Sequence, residues 1–170
     1  MEHGSLAAGG LPTISGMNSQ ISSSASRALL LGELTQQLHA FFHHLDERRY
    51  AELVALFTPD ARWLRQGQWL NGHAEVRKAL DARPAAQRVR HVITNAYVAA
   101  QDVVGNTEEA LVEAYMTAYR HEGGAGAIAG VARIAGPLRL NLVSTRFRRV
   151  DAEWLIAEQR LVPEFDFGLN

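Results

Sequence analysis

Cysteine is absent from this chain of 170 residues, and its absence excludes several kinds of chemistry. Without cysteine there are no disulfides, no thiolate nucleophile and no cysteine-ligated metal site. The stability of the fold therefore has to come from a packed core. With 47% hydrophobic residues, the chain has enough apolar material to build one domain around such a core.

Long apolar runs are also absent. No segment approaches the roughly 18 consecutive apolar residues that a membrane-spanning helix needs. The apolar cluster Ala28–Leu31 is too short for the core of a signal peptide. We therefore expect no membrane partner, and a cytoplasmic location is the default expectation.

The chain has no large excess of charge of either sign. Seventeen Lys and Arg against eighteen Asp and Glu give a formal net charge of −1, so no overall field attracts nucleic acid. The arginines at 139, 146, 148 and 149 fall on both faces of one predicted strand and lack interleaved aromatic residues. These features predict a solvated basic strand and no nucleic-acid partner.

Two segments rich in small residues lack a periodicity that could bury one face. Residues 1–25 contain mainly Gly, Ser and Ala, which predicts a disordered N-terminal arm before a single domain at 26–170. The glycine-rich segment Gly123–Gly136 is either a mobile flap or a long connection between strands.

Apolar residues recur at spacings near three and four between positions 34 and 57, which predicts helices. We place one helix at Arg27–Asp46 and a shorter one at Glu47–Phe57. The second helix ends there because Pro59 disfavours helical geometry at the residue before it. A third helix is predicted at His73–Arg83, with a proline just past its end.

Alternation of apolar and polar residues in the second half of the chain predicts long strands. These strands are Arg88–Val103, Glu108–His121, Leu138–Val150 and Glu153–Val162. Because tight turns separate several of them, we expect an antiparallel meander. A short strand at Ala61–Leu64 and a hairpin around Trp69 come before it.

Three helices before a four-stranded antiparallel meander predict the α+β class. In that arrangement the first helix covers the concave face of a curved sheet. The sheet and helices then form a cone whose interior is a cavity lined by alternate residues of the long strands.

The most chemically suggestive pair in the sequence is a carboxylate and an imidazole that both face inward. Strict alternation predicts that one face of the strand beginning at Arg88 carries Val89, His91, Ile93, Asn95 and Tyr97. Asp46 borders the apolar stripe of the first helix. A carboxylate that accepts one ring proton leaves the other imidazole nitrogen free to act as a base, with an expected N–O distance of about 2.6 to 3.2 Å.

Two alternatives for this pair stay open. His91 and Asp46 could form a buried pair with no substrate. Asp46 also has local candidate partners on the helix surface, His43 and Arg49, each three residues away.

Other polar residues are candidates for binding a substrate or a metal. The candidate substrate-binding residues are Tyr97, Tyr115, Tyr119, Asn141, His121, Trp63 and Phe42. Tyrosines on strands could donate a hydrogen bond to a carbonyl or a developing oxyanion. His39 and His43 lie one helical turn apart, but no further residues with recognised metal spacing complete a site. We therefore expect neither a metal nor a cofactor.

The order of these segments resembles the SnoaL-like branch of the nuclear transport factor 2-like (NTF2-like) superfamily. The resemblance covers about Leu30–Leu161. It rests on four segments in this order: LDERRYAELVALFTPDARW, a Gly-x-x-x-Val helix, the strand VRHVITN and a final Asp-x-x-Trp-x-Ile-x-Glu. Asp46, the turn Phe57–Asp60, the pair Arg90-His91 and the closing Glu-Phe-Asp-Phe are similar to the subgroup related to scytalone dehydratase. The resemblance implies that Asp46 pairs with His91 in an active site.

The match to this subgroup has gaps. A second active-site histidine would fall near His121 and an asparagine near Val143, two positions after Asn141. A tyrosine of the subgroup is replaced by Leu45. Ketosteroid isomerase, another relative, would place its base near Arg65, and an arginine cannot serve as that base.

The resemblance favours a cofactor-independent lyase or isomerase, dehydratase-like, that uses the His-Asp dyad on a small, apolar, cyclic substrate. The alternative is a non-catalytic small-ligand-binding module, since the β subunits of ring-hydroxylating dioxygenases also resemble Leu45–Trp63. Fold alone does not decide between them. We also expect a homodimer or homotrimer, because an exposed apolar face of the sheet tends to be buried by a partner.

Overall fold

The computed structural model describes residues 14–104, 106–123 and 131–168, with side chains from residue 24 onwards. The helices are α1 (Ile14–Asp46), α2 (Tyr50–Ala55) and α3 (Gly72–Asp81). The strands are β1 (Phe57–Arg65), β2 (Gln68–Asn71), β3 (Arg88–Val104), β4 (Thr107–His121), β5 (Arg139–Val150) and β6 (Glu153–Asp166). Among the helices described, none is long and apolar enough to span a membrane.

The described strands form one curved, unclosed sheet of six strands in the order β2-β1-β6-β5-β4-β3. Each neighbouring pair from β3 to β6 is antiparallel, so the predicted meander and the α+β class are confirmed. The sheet is wider than the meander, because β1 pairs with β6 in parallel and β2 pairs with β1 as a hairpin. The local pattern predicted both short strands but not the parallel pairing, which joins residues about 95 positions apart in register, such as Trp63 with Gln159.

The core lies between α1 and the concave face of the sheet. Its helical side consists of Leu30, Leu34, Leu38, Phe41, Phe42 and Leu45, all buried at spacings of three and four. The ring of Phe41 packs edge-on against Phe42, Phe57 and Trp63, with centroids 5.0, 5.7 and 5.3 Å away. These edge-to-face contacts fix the end of α1 relative to β1.

The first helix begins earlier than predicted. We expected residues up to about 25 to be disordered, but α1 starts at Ile14, and residues 1–13 lie outside the described part of the chain. Residues 24–29 are all exposed, so this early part of the helix buries no face. The Ala residues there favour helix without adding to the core.

Strand β3 departs from strict alternation. Asn95 has a positive φ of 55°, and the pairing with β4 shifts between Thr94 and Tyr97. A β-bulge of this kind inserts an extra residue and reverses which side chains face the core. Ile93 packs against the core before the bulge, while Ala96 and Val98 do so after it.

The glycine-rich segment stays undecided. Residues 124–130 of Gly123–Gly136 lie outside the described residues, so the choice between flap and connection remains a prediction. Strand β6 extends four residues further than expected, to Asp166.

Candidate active site

Asp46 and His91 form the most closely coupled pair of ionisable side chains near the core. The Nδ1 atom of His91 lies 2.6 Å from Oδ1 of Asp46, and the backbone N–H of His91 donates to Oδ2 at 2.8 Å. Both side chains are largely buried, with 9% and 8% exposed. The distance agrees with the geometric expectation, and Asp46 turns to His91 instead of to His43 or Arg49.

The local fold explains why these two residues meet. Asp46 is the last residue of α1, and β3 runs past that end of the helix. Arg90 holds the two elements together, because its guanidinium pairs with Glu47 at 3.0 Å and donates to the carbonyl oxygens of Asp46 and Val89. The ring of Phe42 lies 5.2 Å from the ring of His91 and packs on it from the helix side.

A cavity of about 150 Å³ lies beside His91. Its wall includes apolar side chains, among them Leu45, Val89, Met116 and Leu161, together with several polar ones. Among the residues that the structure describes, none forms a hydrogen bond to Nε2 of His91. With Nδ1 held by a carboxylate, the tautomer protonated on Nδ1 is favoured, and Nε2 has a free lone pair.

Two of the predicted substrate-binding residues line this cavity. Asn141 is buried, and its Nδ2 donates only to the thioether of Met116, at 3.7 Å. Trp63 is fully buried, and its indole N–H has no partner among the described residues. Phe42 does not line the cavity but supports His91. Leu45, which stands where the resemblance has a tyrosine, lines the wall.

Tyr97 and Tyr115, predicted as substrate-binding residues, do not line this cavity. Tyr97 is 52% exposed and donates to Glu113, which raises the pKa of Tyr97. The bulge at Asn95 turns it to the convex face. Tyr115 is 44% exposed on the same side, because the inward residues of β4 are the even-numbered ones from Ala110 to Ala118.

Tyr119 and His121 also lie away from the dyad. They border a separate cleft of about 310 Å³ on the convex side of β3 and β4, with Arg88, Arg90 and Ile134 on its other walls. His91 is not part of this larger cleft. His121, predicted as a substrate-binding residue, does not line the cavity beside His91, and its Nδ1 accepts a hydrogen bond from the backbone N–H of Gly123.

The cavity wall includes four arginines, none of which was predicted as a site residue: Arg65, Arg83, Arg120 and Arg139. Alternation along β1 places Arg65 on the same face as Trp63, and that signal could have identified it. Arg139 was assigned to a solvated basic strand, but β5 is a central strand, and Arg139 lies at the cavity mouth. Within the described part of the chain, no group of three or more His, Cys, Asp or Glu comes together as a metal site would require.

The fold and the site define an α+β cone of the NTF2-like type with a histidine–carboxylate pair at its cavity. A family model described as the SnoaL-like domain matches residues 26–160. The chain therefore belongs to the SnoaL-like family. No curated protein matches the sequence at a significant level.

Solved structures with the same fold agree with this assignment. A candidate scytalone dehydratase from Novosphingobium aromaticivorans aligns with a TM-score of 0.66 and 18% identity, over 86% of this chain and 93% of the other. A Nostoc punctiforme protein of unknown function with a cystatin-like fold aligns with a TM-score of 0.60 and 20% identity, over 81% of this chain and 93% of the other. An NTF2-like protein with a cystatin-like fold from Novosphingobium aromaticivorans aligns with a TM-score of 0.57 and 16% identity, over 95% of this chain and 94% of the other. At these identities the similarity concerns the fold.

Proposed function

We propose that the protein is a cofactor-independent lyase or isomerase that removes a proton from a carbon atom of a small substrate. The observation that supports this proposal most directly is the Asp46–His91 pair, 2.6 Å apart, at the wall of a cavity. A general base needs a partner that orients it and an open position on its other side. His91 has both.

The reaction follows from the two ring nitrogens. Nε2 of His91 takes the proton: the C–H bond breaks, an N–H bond forms, and the electron pair moves toward a neighbouring carbonyl oxygen. The Asp46 carboxylate stabilises the resulting imidazolium. In a dehydration the electron pair then expels a hydroxyl group, which takes the proton from Nε2 and leaves as water. In an isomerisation the imidazolium returns the proton to another carbon.

The oxygen that gains charge needs hydrogen-bond donors. Asn141 and Trp63 are suited to this role, because Nδ2 of Asn141 has only a weak sulfur acceptor and the Trp63 N–H has no partner in the described structure. Buried N–H groups are normally paired, so donors left over in a cavity wall are candidates for ligand contacts.

The cavity volume limits the size of the substrate. A cavity of about 150 Å³ is large enough for a benzene-sized molecule. We therefore propose a substrate with a single ring and a carbonyl or hydroxyl group.

The burial of the dyad favours a second candidate function. The side chains of His91 and Asp46 are only 9% and 8% exposed, as in a buried pair that has a structural role. A non-catalytic module that binds a small ligand would contain such a pair without needing a base.

Deuterium exchange separates the two candidates. The full chain is incubated in D₂O with single-ring ketones and hydroxy ketones, and exchange or dehydration is followed by NMR. We expect turnover of at least one compound, reduced about 10²- to 10⁴-fold in His91→Gln. His121→Gln, a histidine of the convex cleft, is the matched control and should keep the activity. If compounds bind in the cavity and none exchanges or dehydrates, the binding module is the correct function.

A further inference from the structure

The cavity wall is rich in arginine. Four guanidinium groups border it, those of Arg65, Arg83, Arg120 and Arg139. No Asp or Glu side chain is among the described residues that line it. A guanidinium group on this wall that has no carboxylate partner would attract negative charge.

Three of these arginines are already engaged. Arg83 donates to the carbonyl oxygen of Leu45 at 2.5 Å and to the hydroxyl of Tyr50 at 3.2 Å. Arg120 pairs with Glu122, and Arg139 pairs with Asp166 at 2.7 Å.

Arg65 differs from the other three. Among the described residues, no hydrogen bond or ion pair involves its guanidinium, and the ring of Trp63 at 5.6 Å is its nearest aromatic contact. The side chain is only partly accessible to solvent. Burial lowers the pKa of Arg65, and the positive charge of Arg83 lowers it further.

A partly buried cation without a counter-charge is costly to maintain. The planar guanidinium group matches a carboxylate through two parallel hydrogen bonds, and such charge-assisted bonds are stronger than neutral ones. An anion that enters the cavity would relieve the repulsion between Arg65 and Arg83.

We propose that the substrate carries a carboxylate and that Arg65 binds this carboxylate. The ring of the substrate then lies between Arg65 and His91. This inference specifies the substrate class of the proposed function, and it rests on the same cavity. A carboxylate fits better than a larger phosphate ester because the cavity has room for only about one ring. Arg65 would then be a specificity-determining residue, and His91 would remain the base.

Binding of benzoate and benzamide tests the proposal, because the two molecules have nearly the same shape and differ in charge. Calorimetric titration of the full chain should show benzoate binding about tenfold or more tightly than benzamide. Arg65→Gln should remove that preference. Arg62→Gln is the matched control: Arg62 lies on the same strand, pairs with Glu158 and stacks on Trp69 outside the cavity, so it should keep the preference.

Equal binding of the two molecules, binding of neither, or a preference that survives Arg65→Gln would overturn the proposal. Tighter binding of inorganic phosphate than of benzoate would also overturn it. If Arg65→Gln does not fold, Arg65→Lys is the alternative variant. It keeps the positive charge but lacks the planar guanidinium group with its two parallel N–H donors, so the preference for benzoate over benzamide should become smaller.

Failure of catalysis is distinguishable from failure of this inference. His91→Gln should still prefer benzoate. If benzoate preference is found and ring ketones that carry a carboxylate, added to the same assay, undergo neither exchange nor dehydration, the substrate class stands as a ligand class and the lyase or isomerase proposal fails.

Discussion

At the residue scale, Asp46 has a position that stability alone does not favour. A carboxylate in the last turn of a helix faces the partial negative charge of the C-terminus, an unfavourable interaction of about 0.3–1 kcal/mol. Both of its oxygens nevertheless accept hydrogen bonds from His91. The same helix end and the same carboxylate would stabilise a positive charge on the ring, as proton abstraction requires.

Substituting Asp46 with Asn should lower turnover about 10²- to 10⁴-fold with little change in KM. In the same orientation, an amide places its oxygen opposite one of these two N–H donors of His91 and its NH₂ group, which cannot accept, opposite the other. The ring can then adopt the other tautomer, in which Nε2 carries the proton and is no longer a base. Steady-state kinetics in the exchange assay measure this effect.

Glu47→Gln is the control, because this neighbouring carboxylate pairs with Arg90 and not with His91. It should keep most activity. The loss in Asp46→Asn combined with His91→Gln should be no larger than in His91→Gln alone, since the two residues act as one unit. Full activity in Asp46→Asn would contradict the proposed dyad.

At the element scale, the bulge in β3 separates what could be predicted from what could not. The dyad was predictable because Asp46 and His91 each lie within a regular local pattern, the helical stripe and the first residues of the strand. Tyr97 was misplaced because one left-handed residue, Asn95, shifts the pattern after it. Asparagine tolerates this conformation better than most residues, but its presence in a strand does not reveal a bulge.

Asn95→Val should lower the free energy of unfolding by about 1–2 kcal/mol, because a β-branched residue with a positive φ is strained. Thr117→Val on β4 is a suitable comparison, since Thr117 has an ordinary negative φ. Urea denaturation measures both. If Asn95→Val is as stable as the wild type, the bulge is not where the structure places it.

Two features were not predicted, and for the same reason: the parallel pairing of β1 with β6 and the arginines of the cavity wall. Each brings together residues that are far apart in the chain, such as Arg65, Arg83 and Arg139 around the cavity. Alternation predicts which face a residue occupies, but not which distant strand lies opposite.

At the scale of the whole molecule, the convex face of the sheet carries an apolar row. Thr94, Tyr115, Leu142 and Val162 are direct neighbours across β3, β4, β5 and β6. The last three are partly exposed, as are Phe165 and Phe167 near the end of the chain. Oligomerisation stays a prediction, and this row is the surface on which we expect it.

Leu142→Glu should raise the dissociation constant of the oligomer about tenfold or more, because it places like charges opposite each other in the interface. Sedimentation velocity at micromolar concentrations measures the shift. Leu29→Glu, an equally polar change at an exposed position of α1, should have no effect. A wild-type protein that sediments as a monomer at these concentrations would refute the prediction.

The proposed proton abstraction depends on whether Nε2 of His91 is an unprotonated base. Long-range ¹H–¹⁵N NMR of the uniformly labelled full chain reports the tautomer of each histidine, and comparison with His91→Gln assigns the signals. At mildly alkaline pH we predict that Nδ1 of His91 carries the proton and Nε2 does not, because Asp46 accepts a hydrogen bond from Nδ1. A proton on Nε2 would contradict the proposed mechanism, because His91 could not then remove a proton from a substrate.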